Sequence, residues 1–182
     1  LYPGCGYGGS CFPKDVKALV QTAEQNGYDM RVLKAVEEVN ERQKSVLFEK
    51  LRLHYGDLQG KTIALWGLAF KAETDDMREA TSLVTIRHLL EAGCTVRVFD
   101  PAAMDEARRR LGDAIIYASD IYDAARGADA LLLLTEWKQF RLPSWARVHD
   151  LMRNPIVFDG RNIYDPAEMR KNGFEYYSIG RK

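Results

Sequence analysis

Apolar residues recur along this chain with two different periods. Val16, Leu19, Val20 and Ala23 fall at helical spacing behind Pro13, which suits a first helical turn, and Asn26-Gly27 supplies a stop. Val32, Leu33, Val36, Val39, Val46, Leu47, Leu51 and Leu53 predict one longer helix, from about Arg31 to about His54, with a polar gap at Asn40 to Ser45. A solvent-crossing stretch accounts for that gap. A helix so long with two apolar ends also suits a bridge between domains or a subunit interface. Gly56-Asp57-Leu58-Gln59-Gly60 is the clearest boundary, dividing the chain into 1–56 and 57–182. Beyond it, short apolar runs at 62–66, 95–99, 115–116, 130–134, 156–158 and 174–179 read as strands. Amphipathic stretches at 82–92, 102–111 and 121–126 read as the helices between them. Strands apolar on both faces and separated by helices predict an α/β fold: a central helical segment followed by a doubly wound, mostly parallel sheet.

Composition narrows the field by exclusion. Among 182 residues, 26 basic and 26 acidic side chains cancel, so no global field draws the chain to nucleic acid or an anionic membrane. The run Arg108-Arg109-Arg110 is flanked by acids and reads as a solvated helix face. No run approaches the ~18 apolar residues of a membrane span, and no signal peptide is expected. Three cysteines without a disulfide framework point to a reducing, cytoplasmic setting. The chain begins at Leu1 inside a glycine-rich stretch, which we read as a truncated start.

The chemistry concentrates in Gly8-Gly9-Ser10-Cys11-Phe12-Pro13-Lys14-Asp15. With a helix starting at Pro13, Cys11 sits at its N-terminus, where free N–H groups and the macrodipole favour the negative charge that a sulfur nucleophile carries. Lys14 adds positive charge, and the glycines let a substrate approach the backbone. Asp15 stands ready to orient a water. A buried structural cysteine is the alternative for Cys11, and the surrounding residues argue against it. Cys94, entering a strand, reads as core, and the role of Cys5 is open. Gly4-x-Gly6-x-x-Gly9 matches a dinucleotide fingerprint in letters only, because no strand precedes it. His54, His88 and His149 have no companions at ligand spacing, so no metal is expected.

Three ordered motifs then carry a resemblance. Tyr2-Pro-Gly-Cys-Gly-Tyr-Gly-Gly-Ser-Cys-Phe-Pro-Lys-Asp15, Gly67-Leu-Ala-Phe-Lys71 continuing to Thr74-Asp-Asp-Met-Arg-Glu79, and Asp159-Gly-Arg-Asn162 together resemble the UDP-glucose/GDP-mannose dehydrogenase family. Within the family, the form from Tyr2 to Phe12 is most similar to the bacterial UDP-glucose-oxidising members, and GDP-mannose enzymes tend to carry Leu where Phe12 stands. The resemblance implies a Rossmann-like sheet domain and oxidation of a sugar C6 alcohol to a carboxylate with two NAD in succession. It implies Cys11 as the covalent nucleophile and Asp15 as its base or water-activating partner. Tyr7, Gly8, Phe12, Phe70, Lys71 and Arg161 would bind the UDP-glucose substrate, and Ser10, Lys14 and Arg78 would lie against NAD. Asp100 is left as a turn residue before Pro101. Thr135-Glu136-Trp137 serves packing or contact near the nucleotide. The family's N-terminal NAD-binding domain, its acid/base glutamate and an oxyanion-stabilising Lys and Asn are absent from this chain. The chain alone is therefore expected to bind UDP weakly at best and not to turn over, and to form a homodimer through the 31–54 helix. A GDP-mannose enzyme and a non-catalytic nucleotide-sugar-binding or dimerisation module are the alternatives.

Overall fold

The computed structural model describes residues 3–181; Leu1, Lys182 and Tyr2, the first residue of the opening motif, lie outside the described residues. An irregular loop leads into helix α1 (Phe12–Gln25), which is followed by α2 (Arg31–Lys44) and α3 (Val46–Tyr55). The single helix expected over 31–54 is thus two. Ser45, at φ −94° and ψ −6°, breaks the run, and its N–H donates to Arg42 O at 3.2 Å in a tightened turn. The break has a physical reason, because the two halves face different surroundings. α3 buries Leu47 and Leu51 in the sheet core, whereas α2 leaves Val32 and Val39 exposed and buries Asn40 and Lys44. The polar gap is therefore not simply a solvent crossing: Glu41 and Arg42 are exposed, but Asn40 and Lys44 are packed inside.

Six strands follow: β1 (Thr62–Trp66), β2 (Thr95–Phe99), β3 (Ile116–Tyr117), β4 (Ala130–Leu133), β5 (Ile156–Asp159) and β6 (Glu175–Ser178). Their order is β3-β2-β1-β4-β5-β6 and every pairing is parallel, so the mostly parallel sheet is wholly so. Helices α4 (Thr81–Glu91), α5 (Met104–Leu111), α6 (Ile121–Ala125), α7 (Trp145–Leu151) and α8 (Pro166–Lys171) connect them. Alternation along β1 divides the core. Ile63 and Leu65 pack with Leu51 of α3 and Ile86 and Leu89 of α4, while Ala64 and Trp66 pack on the other face with α6, α7 and α8. Trp66 is wholly buried there, its ring 5.5 Å from Phe140 and its indole N–H donating to Ile121 O at 3.2 Å.

Helices α7 and α8, of 7 and 6 residues, are additional to the helices that the sequence pattern predicts. Their caps were the readable signal. The Asp165 carboxylate accepts from Ala167 and Glu168 N–H at 2.9 Å with Pro166 in the first turn, and Ser144 Oγ accepts from Arg147 N–H. Arg109 and Arg110 pair with Glu106 on the exposed face of α5, as the flanking acids suggested. No helix among the described residues is long and apolar enough to cross a membrane.

Candidate active site

Chain order reverses between β1 and β4, and in such a sheet the carboxyl ends of those strands form a crevice for ligands. The loop after β1 is shaped there by Asp100, at the end of β2. Its carboxylate accepts from the N–H groups of Leu68 (2.6 Å), Ala69 (3.2 Å), Ala102 (2.9 Å) and Ala103 (2.9 Å), and from the Trp137 indole at 3.2 Å. Asp100 is therefore not merely a turn residue: it is 1% exposed and joins three loops. Thr135 Oγ1 donates to Ala69 O at 2.7 Å, so Thr135 and Trp137 both join the hydrogen-bond network around this loop. Asp159 does the corresponding work at the end of β5, accepting from the N–H groups of Arg161, Ile163 and Tyr164 and from the Tyr176 hydroxyl. Burial, then the Asp159 charge, pushes the Tyr176 hydroxyl well above the ordinary phenol range.

The cysteine loop lies across these strand ends. Cys5 N–H donates to Gly160 O at 3.0 Å, Thr81 Oγ1 donates to Cys5 O at 3.2 Å, and Gly9 N–H donates to Arg78 O at 2.8 Å. Close approach explains the glycines. A β-carbon at Gly8 would lie 2.3 Å from Glu79 O, and one at Gly9 would lie 2.8 Å from the Phe70 ring. Cys5 is core: it is 1% exposed beneath Gly160, and burial raises its thiol to about 11 despite the lowering influence of Arg161. Cys94 is buried and likewise raised to about 11 by burial. Cys11 differs from both, being exposed and standing at the N-cap of α1. Among the described residues, its Sγ has one hydrogen-bond neighbour, Ser10 Oγ at 3.7 Å.

The loop gathers most of the expected residues. Phe70 lies on Gly9, with the Lys71 ammonium 5.3 Å from the Phe70 ring. Arg161 reaches Gly4, its Nη1 3.3 Å from a β-carbon there, and pairs through Nε with Glu136 at 2.5 Å. Tyr7 packs edge-on to Phe12 at 4.9 Å, and its hydroxyl donates to Glu37 at 2.9 Å; burial and that carboxylate push it up to about 12. Arg78 is gripped by Asp76 through both Nε and Nη2, which raises the guanidinium above its ordinary range, with the nearby Cys11 sulfur adding to the effect. Lys14 and Asp15 stand apart from this cluster. They pair with each other at 3.6 Å, both largely exposed, and Asp15 makes no hydrogen bond to the thiol.

Two cavities share Arg161, and the first is lined by the loop itself. One, of about 750 Å³, runs between Gly4, Gly6, Tyr7 and Arg161 on one side and Val32, Val36 and Val39 of α2 on the other. The second, of about 240 Å³, is lined by Glu136, Arg141, Arg161, Asn162 and Ile163. Arg141 carried no signal in the sequence, and Asn162 only its place in the third motif. Asn162 adopts φ +55° and clasps Ile179 by two hydrogen bonds, a geometry that a run of letters does not reveal.

A wholly parallel sheet of this order, with cations and glycine loops at the ends of its central strands, defines a doubly wound α/β protein of the kind that holds nucleotides at its switch point. Residues 64–166 match the UDP-binding domain of the UDP-glucose/GDP-mannose dehydrogenase family, and residues 1–42 match its central domain. The chain belongs to the UDP-glucose/GDP-mannose dehydrogenase family. It is 54% identical to a UDP-glucose 6-dehydrogenase from Pseudomonas aeruginosa and 46% identical to the UDP-glucose 6-dehydrogenase YwqF from Bacillus subtilis. Each comparison covers 100% of this chain and 41% of the relative, so the chain spans about two fifths of those proteins. The solved structure of a UDP-glucose dehydrogenase from Pyrobaculum islandicum superposes with a TM-score of 0.84 at 35% identity, covering 96% of this chain and 38% of that one.

Proposed function

We propose that this chain is the cysteine-bearing, nucleotide-sugar-binding part of an NAD-dependent UDP-glucose 6-dehydrogenase. One observation carries the reading: exposed Cys11 opens α1 from a loop whose Gly9 is bonded to Arg78 and lies against Phe70. On the substrate side, Lys71 and Arg161 meet the diphosphate, and Tyr7, Gly8, Phe12 and Phe70 enclose the sugar. On the cofactor side, Ser10, Lys14 and Arg78 offer a hydroxyl and two cations to a pyrophosphate. They fit that task, since Lys14 is 76% exposed and Arg78 is 61% exposed while its fork is already oriented by Asp76. NAD, when bound, accepts one hydride in each of two successive oxidations.

Cys11 handles the carbon between those steps. Its sulfur adds to the C6 aldehyde, a C–S bond forming as the carbonyl oxygen takes up a proton. Loss of the second hydride and of that proton leaves a thioester. Water then cleaves the C–S bond, releasing the carboxylic acid and returning a proton to sulfur. Asp15, in the first turn of α1, is the group to orient that water. The dinucleotide-binding domain, an acid/base glutamate and an oxyanion-stabilising Lys and Asn lie outside this chain. Within it, residues 1–56 form the catalytic and dimerising segment and residues 57–182 the UDP-sugar-binding domain. A second copy covers Val32, Val36 and Val39 of α2, which are exposed in the single chain.

The intact enzyme supplied with UDP-glucose and NAD should release two NADH for each UDP-glucuronate, and GDP-mannose should not replace the substrate. Cys11→Ser should abolish acid formation, and the present chain alone should give no steady NADH. Acid formation that survives in Cys11→Ser, or a preference for GDP-mannose, would sink this reading.

A further inference from the structure

Half-buried Glu37 and buried Asn40 and Lys44 stand along α2 at a spacing of three and four that places them on one helix face. That face meets the cysteine loop. Asn40, 6% exposed, accepts from Tyr7 N–H through Oδ1 at 2.8 Å and donates from Nδ2 to Tyr7 O at 3.1 Å. One side-chain amide thus supplies both bonds that a neighbouring strand would give, to a loop belonging to no strand. Gln43 Nε2 donates to Gly4 O at 2.5 Å, and Glu37 accepts from the Tyr7 hydroxyl. Gly6, at φ +98°, leaves room for both anchors, since a β-carbon there would lie 3.1 Å from Asn40 Oδ1 and from Lys44 Cγ.

Lys44 extends the attachment to the far side of the loop. Its side chain is 3% exposed and its Nζ lies 2.8 Å from Glu41 and 3.2 Å from Glu79. A buried ammonium needs such partners, and removing them leaves an uncompensated charge. Glu79 also holds Lys17 of α1 at 3.2 Å. It does so from φ +52°, a left-handed backbone that strains a side-chain-bearing residue. Its own carbonyl meets Gly8, and the preceding carbonyl holds Gly9. Gly4, Tyr7, Gly8, Gly9 and the helix headed by Cys11 are therefore all tied, directly or through Glu79, to one face of α2. Neither Asn40 nor Lys44 is among the residues assigned to substrate or cofactor.

We propose that the Glu37–Asn40–Lys44 face of α2 sets the position of the Cys11 loop, with Asn40 its principal positioning residue. The catalytic consequence rests on the reading of Cys11 as nucleophile; the positioning itself does not. A direct reporter is a trifluoroacetonyl group on Cys11, the exposed thiol of the three, followed by fluorine NMR well below each variant's melting temperature. The parent chain and Lys44→Arg should give one narrow resonance. Asn40→Ala and Lys44→Met should shift, broaden or split it while their circular dichroism stays native, which a purely stabilising role would not produce. In the intact dehydrogenase, Asn40→Ala should lower kcat about 10- to 100-fold, the cost of a misplaced reacting group, with KM for NAD changed by less than about twofold. An unchanged resonance in both Asn40→Ala and Lys44→Met overturns the proposal, as does a changed resonance with kcat intact. If Cys11→Ser still forms acid, it is the nucleophile assignment that fails, and the fluorine result alone decides the positioning.

Discussion

Asp100 shows how much one buried carboxylate can organise. It serves four backbone amides and an indole at the end of β2. Asp100→Ala should destabilise the chain by about 3–5 kcal/mol in urea unfolding, because each orphaned buried donor costs about 1–3 kcal/mol. Asp100→Asn, which keeps one acceptor oxygen, should recover part of that. Cys5 gives a pH signature. Its folded thiol is raised to about 11 from an ordinary 9.0, so above pH 9 the unfolded chain releases a proton that the folded chain retains. The associated stability is present in full below pH 9 and is lost as pH climbs toward 11. Tyr7, raised to about 12, extends the loss above pH 10. Urea midpoints should fall across this window, and Cys5→Ala should fall less steeply. A parallel fall would mean that the buried thiol does not contribute.

The cysteine loop is the element whose order depends most on its neighbours. It has no internal ladder, and its bonds go outward to β5, to the loop before α4 and to α2. Gly8 is its tightest point, with no room for a methyl group against Glu79 O. Gly8→Ala should therefore lift the segment from residues 78–79, and the lost Gly9–Arg78 bond should appear as local opening. Hydrogen exchange in residues 3–15 should quicken by about tenfold or more, while the amides of β1 and β4 keep their protection. Equal quickening across the sheet would instead mean that the loop is integral to the global fold.

At the scale of the whole molecule, the apolar side of α2 is unfinished. Val32 is 77% exposed and Val39 is 54% exposed beside a groove of about 750 Å³, and burying such a stripe favours association. The chain should sediment as a dimer, and Val36→Glu should make it monomeric without unfolding it, because a charge on that stripe is tolerated only in water. A parent that stays monomeric at high concentration would remove the interface from the proposal.

Periodicity alone marked the sheet: the six strand positions, the helices between β1 and β4 and a mostly parallel arrangement follow from short apolar runs separated by amphipathic helices. Local chemistry likewise marked Cys11 at a helix start, since glycine, proline and the N-terminal cap act over a few residues. What the chain could not disclose was anything decided by partners far apart in sequence. The break at Ser45 arises because α3 packs on the sheet and α2 does not. Asp100 looks like a turn residue until residues 32 and 37 positions away converge on it. Asn40 and Lys44 read as a solvated gap because their partners, Tyr7 and Glu79, lie 33 and 35 residues distant. A polar residue's letter carries its capacity for hydrogen bonds, but only the folded chain says whether water or another segment fills it.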